Sequence, residues 1–197
     1  MAAGGGRLQQ GEVLRDIPLL ELRSGTRLED ESFPLFSAPE TPWLVVLSQD
    51  CDLEQDYYAR HGLLYPATNK AVLSDKKLWG VLVAPGWDAG DVEELRHLQG
   101  DGYEDLQGRK KMGSTEANYL RTHRHERYYY IEPHDLTGGV ALAFDLKLAT
   151  AVHPEYLERE ASVDDRRVAV LDGVWKAHLA HRYITYLGRV PLPGEEA

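Results

Sequence analysis

Cysteine is almost absent from this chain of 197 residues: Cys51 is the only one. A single thiol closes no internal disulfide, so a reducing, cytoplasmic location is expected. Neither a Cys-x-x-Cys pair nor a His-Glu-x-x-His run occurs, and spacing gives no reason to expect a metal or a cofactor. No run of about 18 apolar residues is present, so no membrane-spanning helix is expected. Residues 1–10 carry one arginine and no apolar block, and read as a flexible lead-in rather than a signal peptide. Cations are also scarce: 22 Lys and Arg against 32 Asp and Glu leave a net charge of -10. A phosphate backbone rewards clustered Lys and Arg. Another protein is therefore the expected partner; nucleic acid is possible but disfavoured, and an anionic membrane is not expected.

Apolar residues, at 43%, suffice for a sizeable core. The strongest local signal is Trp43-Leu44-Val45-Val46-Leu47, an unbroken run after Pro42 that reads as a strand buried on both faces. Its end delivers Ser48 to Asp52 to one edge of the core. Before it, residues 11–23 alternate imperfectly around Pro18, the pattern of a bent or bulged edge strand. Residues 24–42 read as loop. A strand is predicted over 78–84, stopped by Pro85-Gly86. A short helix from Asp91 follows, with Val92, Leu95 and Leu98 on one face and Asp91 and Glu94 at capping-box spacing. Residues 101–113 read as an exposed polar excursion, and Thr115 to Arg121 as another helical turn. Tyr128-Tyr129-Tyr130-Ile131 is a strong β-former. Residues 140–148 are its hairpin partner, with Leu142, Phe144, Leu146 and Leu148 facing one way. A short helix from Pro154, a strand over 166–171 and a helix over 172–188 capped by Asp172 complete the chain. Nothing alternates regularly as β-α-β. The expected fold is α+β: a small, mostly antiparallel barrel over residues 11–171, with a helical insertion around 90–122 and a C-terminal helix packed on it.

Two stretches carry a resemblance. Gly11-Glu12-Val13, followed about thirty residues later by Pro42-Trp43-Leu44-Val45-Val46-Leu47-Ser48, is similar to the opening of PemK/MazF-type toxins, and Val81 to Pro85 occupies the place of their next strand. The resemblance implies an SH3-like barrel. The toxins cleave RNA with an arginine before the Val-Val-Leu strand and a Ser or Thr after the next one. Here those places hold Thr41-Pro42-Trp43 and Pro85-Gly86-Trp87, so the resemblance implies the barrel without the ribonuclease residues. Barrels of this family that lack toxin activity act in bacterial defence and signalling by binding proteins. The chain also resembles, over most of its length, a group of bacterial proteins with a Ser-Gln-x-Cys-Asp-Leu signature, here Ser48 to Leu53. Tyr128 to Pro133, Phe144 to Lys147 and Arg189 to Pro193 extend that likeness, which implies no activity.

Four groups of residues are chemical candidates. Asp50-Cys51-Asp52 is either a buried cysteine beside turn-capping aspartates or a thiol nucleophile needing a base such as His123 or His125. Cys51, His123 and His125 could in principle share a metal, although no motif spacing supports it. Asp135 with Asp145 and Lys147 matches a metal-nuclease layout, or an ordinary half-exposed strand. Arg121, His123, Arg124, His125 and Arg127 form the one local basic stretch, ahead of three tyrosines. That composition suits partner or single-strand binding, or a solvated strand entry. The expected function is a non-enzymatic binding or regulatory protein; the alternative is a nucleic-acid-cleaving enzyme, either a diverged ribonuclease or a magnesium-dependent nuclease.

Overall fold

The computed structural model describes residues 6–19, 21–22, 36–37, 40–98 and 109–188. The first strands are β1 (Glu12–Pro18), β2 (Glu21–Leu22), β3 (Phe36–Ser37) and β4 (Glu40–Val46), and helix α1 (Asp50–His61) follows. Next come β5 (Leu64–Tyr65), β6 (Lys70–Ala71), β7 (Val81–Asp88), α2 (Ala89–Glu93) and α3 (Ser114–Arg121). The last elements are β8 (Tyr128–Ile131), β9 (Leu142–Asp145), β10 (Thr150–Val152), α4 (Pro154–Ala161), β11 (Arg167–Val170) and α5 (Gly173–Leu187). The main sheet runs β11-β1-β4-β7-β9-β8, with β10 also on β7, and every pairing is antiparallel. The chain is therefore α+β, as expected. Among the described strands the sheet is open, because β8 and β11 each have one neighbour only.

Both faces of this sheet are covered, which is why Leu44 to Val46 needs no polar alternation. Leu44 and Val46 point with Leu14 and Val83 toward Leu53 of α1 and Leu157 of α4. Val45 and Leu47 point the other way, with Val13, Phe144 and Tyr129, toward Leu179 of α5. A third cluster joins Tyr128, Tyr130 and Ala143 to Val92, Leu95 and Leu98 and to Leu120 of α3. Each fully buried Leu, Val or Phe contributes about 1.5–3 kcal/mol relative to exposure. The predicted apolar face after Asp91 is thus buried as expected, although Asp91 makes no cap and instead pairs with Arg96 at 2.9 Å.

Several local expectations change. β1 is not an edge strand, since it lies between β11 and β4; the bulge falls between Val13 and Leu14. β7 does not stop at Pro85-Gly86. One side of β7 pairs β10 at Val81–Val83 and β9 at Gly86–Asp88, and Pro85 sits in the gap between them. On the β4 side, Leu47 N donates to Leu82 O at 2.8 Å. Alternation then puts Ala84, not Pro85, in the hydrogen-bonded register with β4. Proline is tolerated because no partner needs its missing N–H. β9 is buried on both faces from Leu142 through Asp145, so it is not half-exposed. Of residues 1–10, 1–5 lie outside the described residues, whereas Leu8 is buried in the core. The expected loop over 24–42 and excursion over 101–113 fall largely outside them as well, and Arg189 to Pro193 does so entirely. No helix among the described residues is long and apolar enough to cross a membrane.

Candidate functional site

The Cys51 group lies on the first turn of α1, a helix absent from the sequence expectation. Cys51 is exposed, not buried. Its Sγ lies 3.6 Å from Gln49 Oε1 and 3.7 Å from Asp52 Oδ1, and no histidine is placed against it. Asp50 works as a tie: Oδ1 accepts from Gln10 N at 2.7 Å, and Oδ2 meets Lys176 Nζ of α5 at 3.0 Å. Asp52 stands in the acidic first turn, where a carboxylate favours the helix N-terminus. Ser48 Oγ accepts from Leu82 N at 2.8 Å. The group joins β7, α1, α5 and the N-terminal segment; it does not assemble a thiol catalyst.

The nuclease layout separates. Tyr128 stands opposite Asp145 and Ile131 opposite Leu142, so Asp145 is at one end of the β8–β9 hairpin and Asp135 lies beyond the other. The intervening strand alone is about 10 Å long. Asp135 and Lys147 are exposed, while Asp145 is fully buried. Arg127 Nε reaches the two Asp145 oxygens at 2.8 and 3.0 Å, and its Nη2 meets Oδ2 at 2.5 Å. Asp145 Oδ1 also accepts from Lys147 N at 3.0 Å, capping a 3-10 turn. His97 Nε2 is 3.9 Å from Asp145 and 2.8 Å from the Tyr128 hydroxyl. Burial, the largest influence, brings the His97 pKa down to about 4. Among the described residues, no three His, Cys, Asp or Glu side chains group to hold a metal ion.

The basic stretch is likewise dispersed. Arg121 pairs with Glu93, its Nε to Oε1 at 2.8 Å. His125 Nε2 lies 3.6 Å from Glu116, and its ring stacks at 4.8 Å on Tyr128. Arg127 belongs to Asp145. Arg124 is exposed. Only His123 enters a larger arrangement. It follows α3 in a left-handed conformation, φ 57°, an uncommon state for a non-glycine residue. Its ring lies 5.4 Å from both Trp175 and His178, 5.8 Å from Tyr130 and 6.0 Å from Tyr129. Burial, then the mutual His178 and Arg182 charges, holds His123 below the ordinary histidine pKa, and His178 is lowered by burial, then by Arg182 and His181. The Nδ1 of each ring is buried with no hydrogen-bond partner among the described residues.

This cluster borders a cleft of about 390 Å³ between the two ends of the sheet. β8 and its exit supply Tyr129 to His134, then Leu136 and Thr137; β11 and its exit supply Ala169 to Asp172; Val13, His123 and Trp175 complete the lining. The 3-10 turn Asp135–Thr137 touches β11, so the sheet curls until its ends approach. Val170, Leu136, Val174 and Trp175 are exposed apolar residues around this opening. The lining holds no Ser, Cys, Lys or Arg. Its one hydroxyl besides the tyrosines, on Thr137, is committed: it is 2.7 Å from Val140 O and 2.8 Å from His134 O, and accepts from His134 N at 3.2 Å. Tyr129 donates to Trp175 O at 3.2 Å. The C-terminal helix, expected to pack on the sheet, leaves part of its apolar surface open, with Val174 77% and Leu187 48% exposed. A second hollow, of about 380 Å³, is lined by Arg60, Glu158 and neighbours. Arg60 there is already held by Asp56 and Glu158, each at 2.7 Å, and Arg159, on the same lining, pairs with Glu160 at 3.2 Å.

The chain matches no protein-family description, no curated protein and no solved structure.

Proposed function

We propose that this chain is a non-enzymatic, protein-binding component of a bacterial defence or stress-signalling module. In this reading its sheet is a PemK/MazF-like barrel left open along one seam, between β8 and β11. The strand order and the approach of the sheet ends across one cleft support the barrel. The defence role rests on the sequence resemblance alone. The observation that carries a binding role is the cleft itself: aromatic and aliphatic walls, no Ser, Cys or Lys in the lining, and a His123 whose Nδ1 has no hydrogen-bond partner among the described residues. Apolar concavities with few polar groups are the usual form of a binding site. The net charge of -10 supports a protein partner over nucleic acid.

A photo-crosslinking amino acid at Leu136, on the rim of the cleft, tests this reading against the same probe at Trp79, which is 97% exposed elsewhere. The expected result in a bacterial host is a discrete protein adduct from position 136 and none from 79. Equal adducts from both positions, nucleic-acid adducts alone, or RNA or DNA cleavage co-eluting with the folded chain in magnesium would overturn it.

A further inference from the structure

The two sheet ends that face the cleft carry backbone groups with no hydrogen-bond partner among the described residues, and the register identifies them. Leu146 N donates to Arg127 O at 2.9 Å, with Tyr128 opposite Asp145. Antiparallel alternation then bonds Tyr129 to β9 and turns the N–H and C=O of Tyr130 away from it. On the other side, Leu171 N donates to Gly11 O at 3.0 Å, with Val170 opposite Glu12. The same alternation turns the N–H and C=O of Val170 away from β1. Tyr130 and Val170 both line the cleft, and no strand among the described residues pairs with either free edge. Open edges of this kind are templates for an added strand.

We infer that the partner binds by strand addition: an extended peptide segment enters the seam and bonds to the backbone of Tyr130 and Val170. This rests on the protein-binding reading above and specifies its mode. Neighbours in the sheet order alternate in direction, so β8 and β11 run opposite ways. The added strand is antiparallel to one and parallel to the other. Its side chains alternate, and every second one meets the apolar wall of Val13 and Tyr129. Glu132 and Asp172 are among the lining residues of the cleft and no Lys or Arg is, and the chain is acidic as a whole. The segment that fits is therefore apolar at alternate positions and carries Lys or Arg, not Asp or Glu, between them.

A phage-displayed random dodecapeptide library, panned on the purified full chain, tests this. The expected winners are basic peptides with alternating apolar residues that slow amide hydrogen exchange at Tyr130 and Val170. Val170→Pro removes the outward donor without touching the β1 ladder, and weakens the winners at least tenfold. Glu132→Lys, at an exposed position, does the same with an unchanged melting temperature. Winners that bind Val170→Pro equally and leave both amides unprotected overturn strand addition while leaving a protein-binding role intact. Acidic winners, winners indifferent to Glu132→Lys, or no winners at all also overturn the inference. A failure of the protein-binding reading appears separately, as nucleic-acid adducts or cleavage in the crosslinking experiment.

Discussion

Arg127→Ala separates a structural Asp145 from a catalytic one. Asp145 has no exposed surface, whereas Arg127 keeps about a quarter of its own, 24%. The guanidinium makes three contacts to this carboxylate, from 2.5 to 3.0 Å. Truncation leaves a buried charge with the Lys147 amide at 3.0 Å and a neutral His97 at 3.9 Å. Breaking one partner of a buried pair costs about 3–5 kcal/mol, against about 0–1 kcal/mol for a surface pair. A domain of this size loses about 2–4 °C per kcal/mol, so the melting temperature falls by about 6–20 °C. Arg127→Met combined with Asp145→Leu removes both charges and recovers most of the loss, less about 1 kcal/mol for the capping bond to Lys147 N. Urea melts followed by circular dichroism measure all three. An Arg127→Ala variant within about 0.5 kcal/mol of the parent refutes the reasoning, because Asp145 would then not depend on this pair and would be available for other chemistry.

Two further outcomes follow from the same interior. The His97 pKa is brought to about 4 in the folded chain, chiefly by burial, against the ordinary 6.5 of a histidine. The unfolded chain takes the proton first, so this contribution is complete above pH 6.5 and is lost as pH falls toward 4, at most about 3 kcal/mol. His123, His125 and His178 are shifted the same way; Glu12, raised by burial, opposes them. Urea melts at pH 7, 5 and 4 measure the loss, and His97→Gln flattens it; an unaltered slope in that variant contradicts the assignment. Gly86→Ala places a Cβ 2.5 and 2.7 Å from the ring of fully buried Phe144, an overpacking that costs about 1–3 kcal/mol. Gly90→Ala, in α2 with nothing within 4 Å, is neutral or stabilising by up to about 1 kcal/mol in the same thermal melt.

The strands were legible from unbroken apolar or β-forming runs bounded by turn residues. Leu44 to Leu47, Tyr128 to Ile131, Leu142 to Phe144 and residues 166–171 all fall on or beside observed strands. Helices α3, α4 and α5 were legible from their caps and spacing, including Asp172, whose Oδ1 accepts from Val174 N and Trp175 N at 3.0 and 3.1 Å. Helix α1 was not legible. Its buried positions are Leu53 and Asp56, and the Arg60 side chain is only 7% exposed beside them, so the inward face reads as charged. Only the fold shows that Asp56 and Glu158 neutralise Arg60, and that Asp56 Oδ1 accepts from Leu78 N at 2.8 Å. Continuation of β7 through Pro85 was hidden for a related reason: whether a proline breaks a strand depends on which neighbour lies across from it.

The site was misplaced by the same physics. A search for chemistry in a sequence selects Asp, His, Cys and Arg, and in this chain several of those residues are internal ties. Asp145 serves Arg127, Asp56 serves Arg60, and Glu12 serves Arg167 at 3.0 Å. The Asp145 tie joins β9 to the entry of β8, the Glu12 tie joins β1 to β11, the Asp56 tie lies within α1 while its other oxygen accepts from Leu78 N, and each carboxylate is buried. A buried carboxylate fully occupied by an arginine has little left to offer a substrate. The residues left unsatisfied are of the other kind. They are the outward N–H and C=O of Tyr130 and Val170 and the Nδ1 atoms of His123 and His178, without hydrogen-bond partners among the described residues, and the exposed flanks of Val174 and Trp175. Composition labels most of these as core. Register turns the outward groups of Tyr130 and Val170 toward the cleft that the described strands leave between the ends of the sheet, which is where the proposed binding mode places the partner.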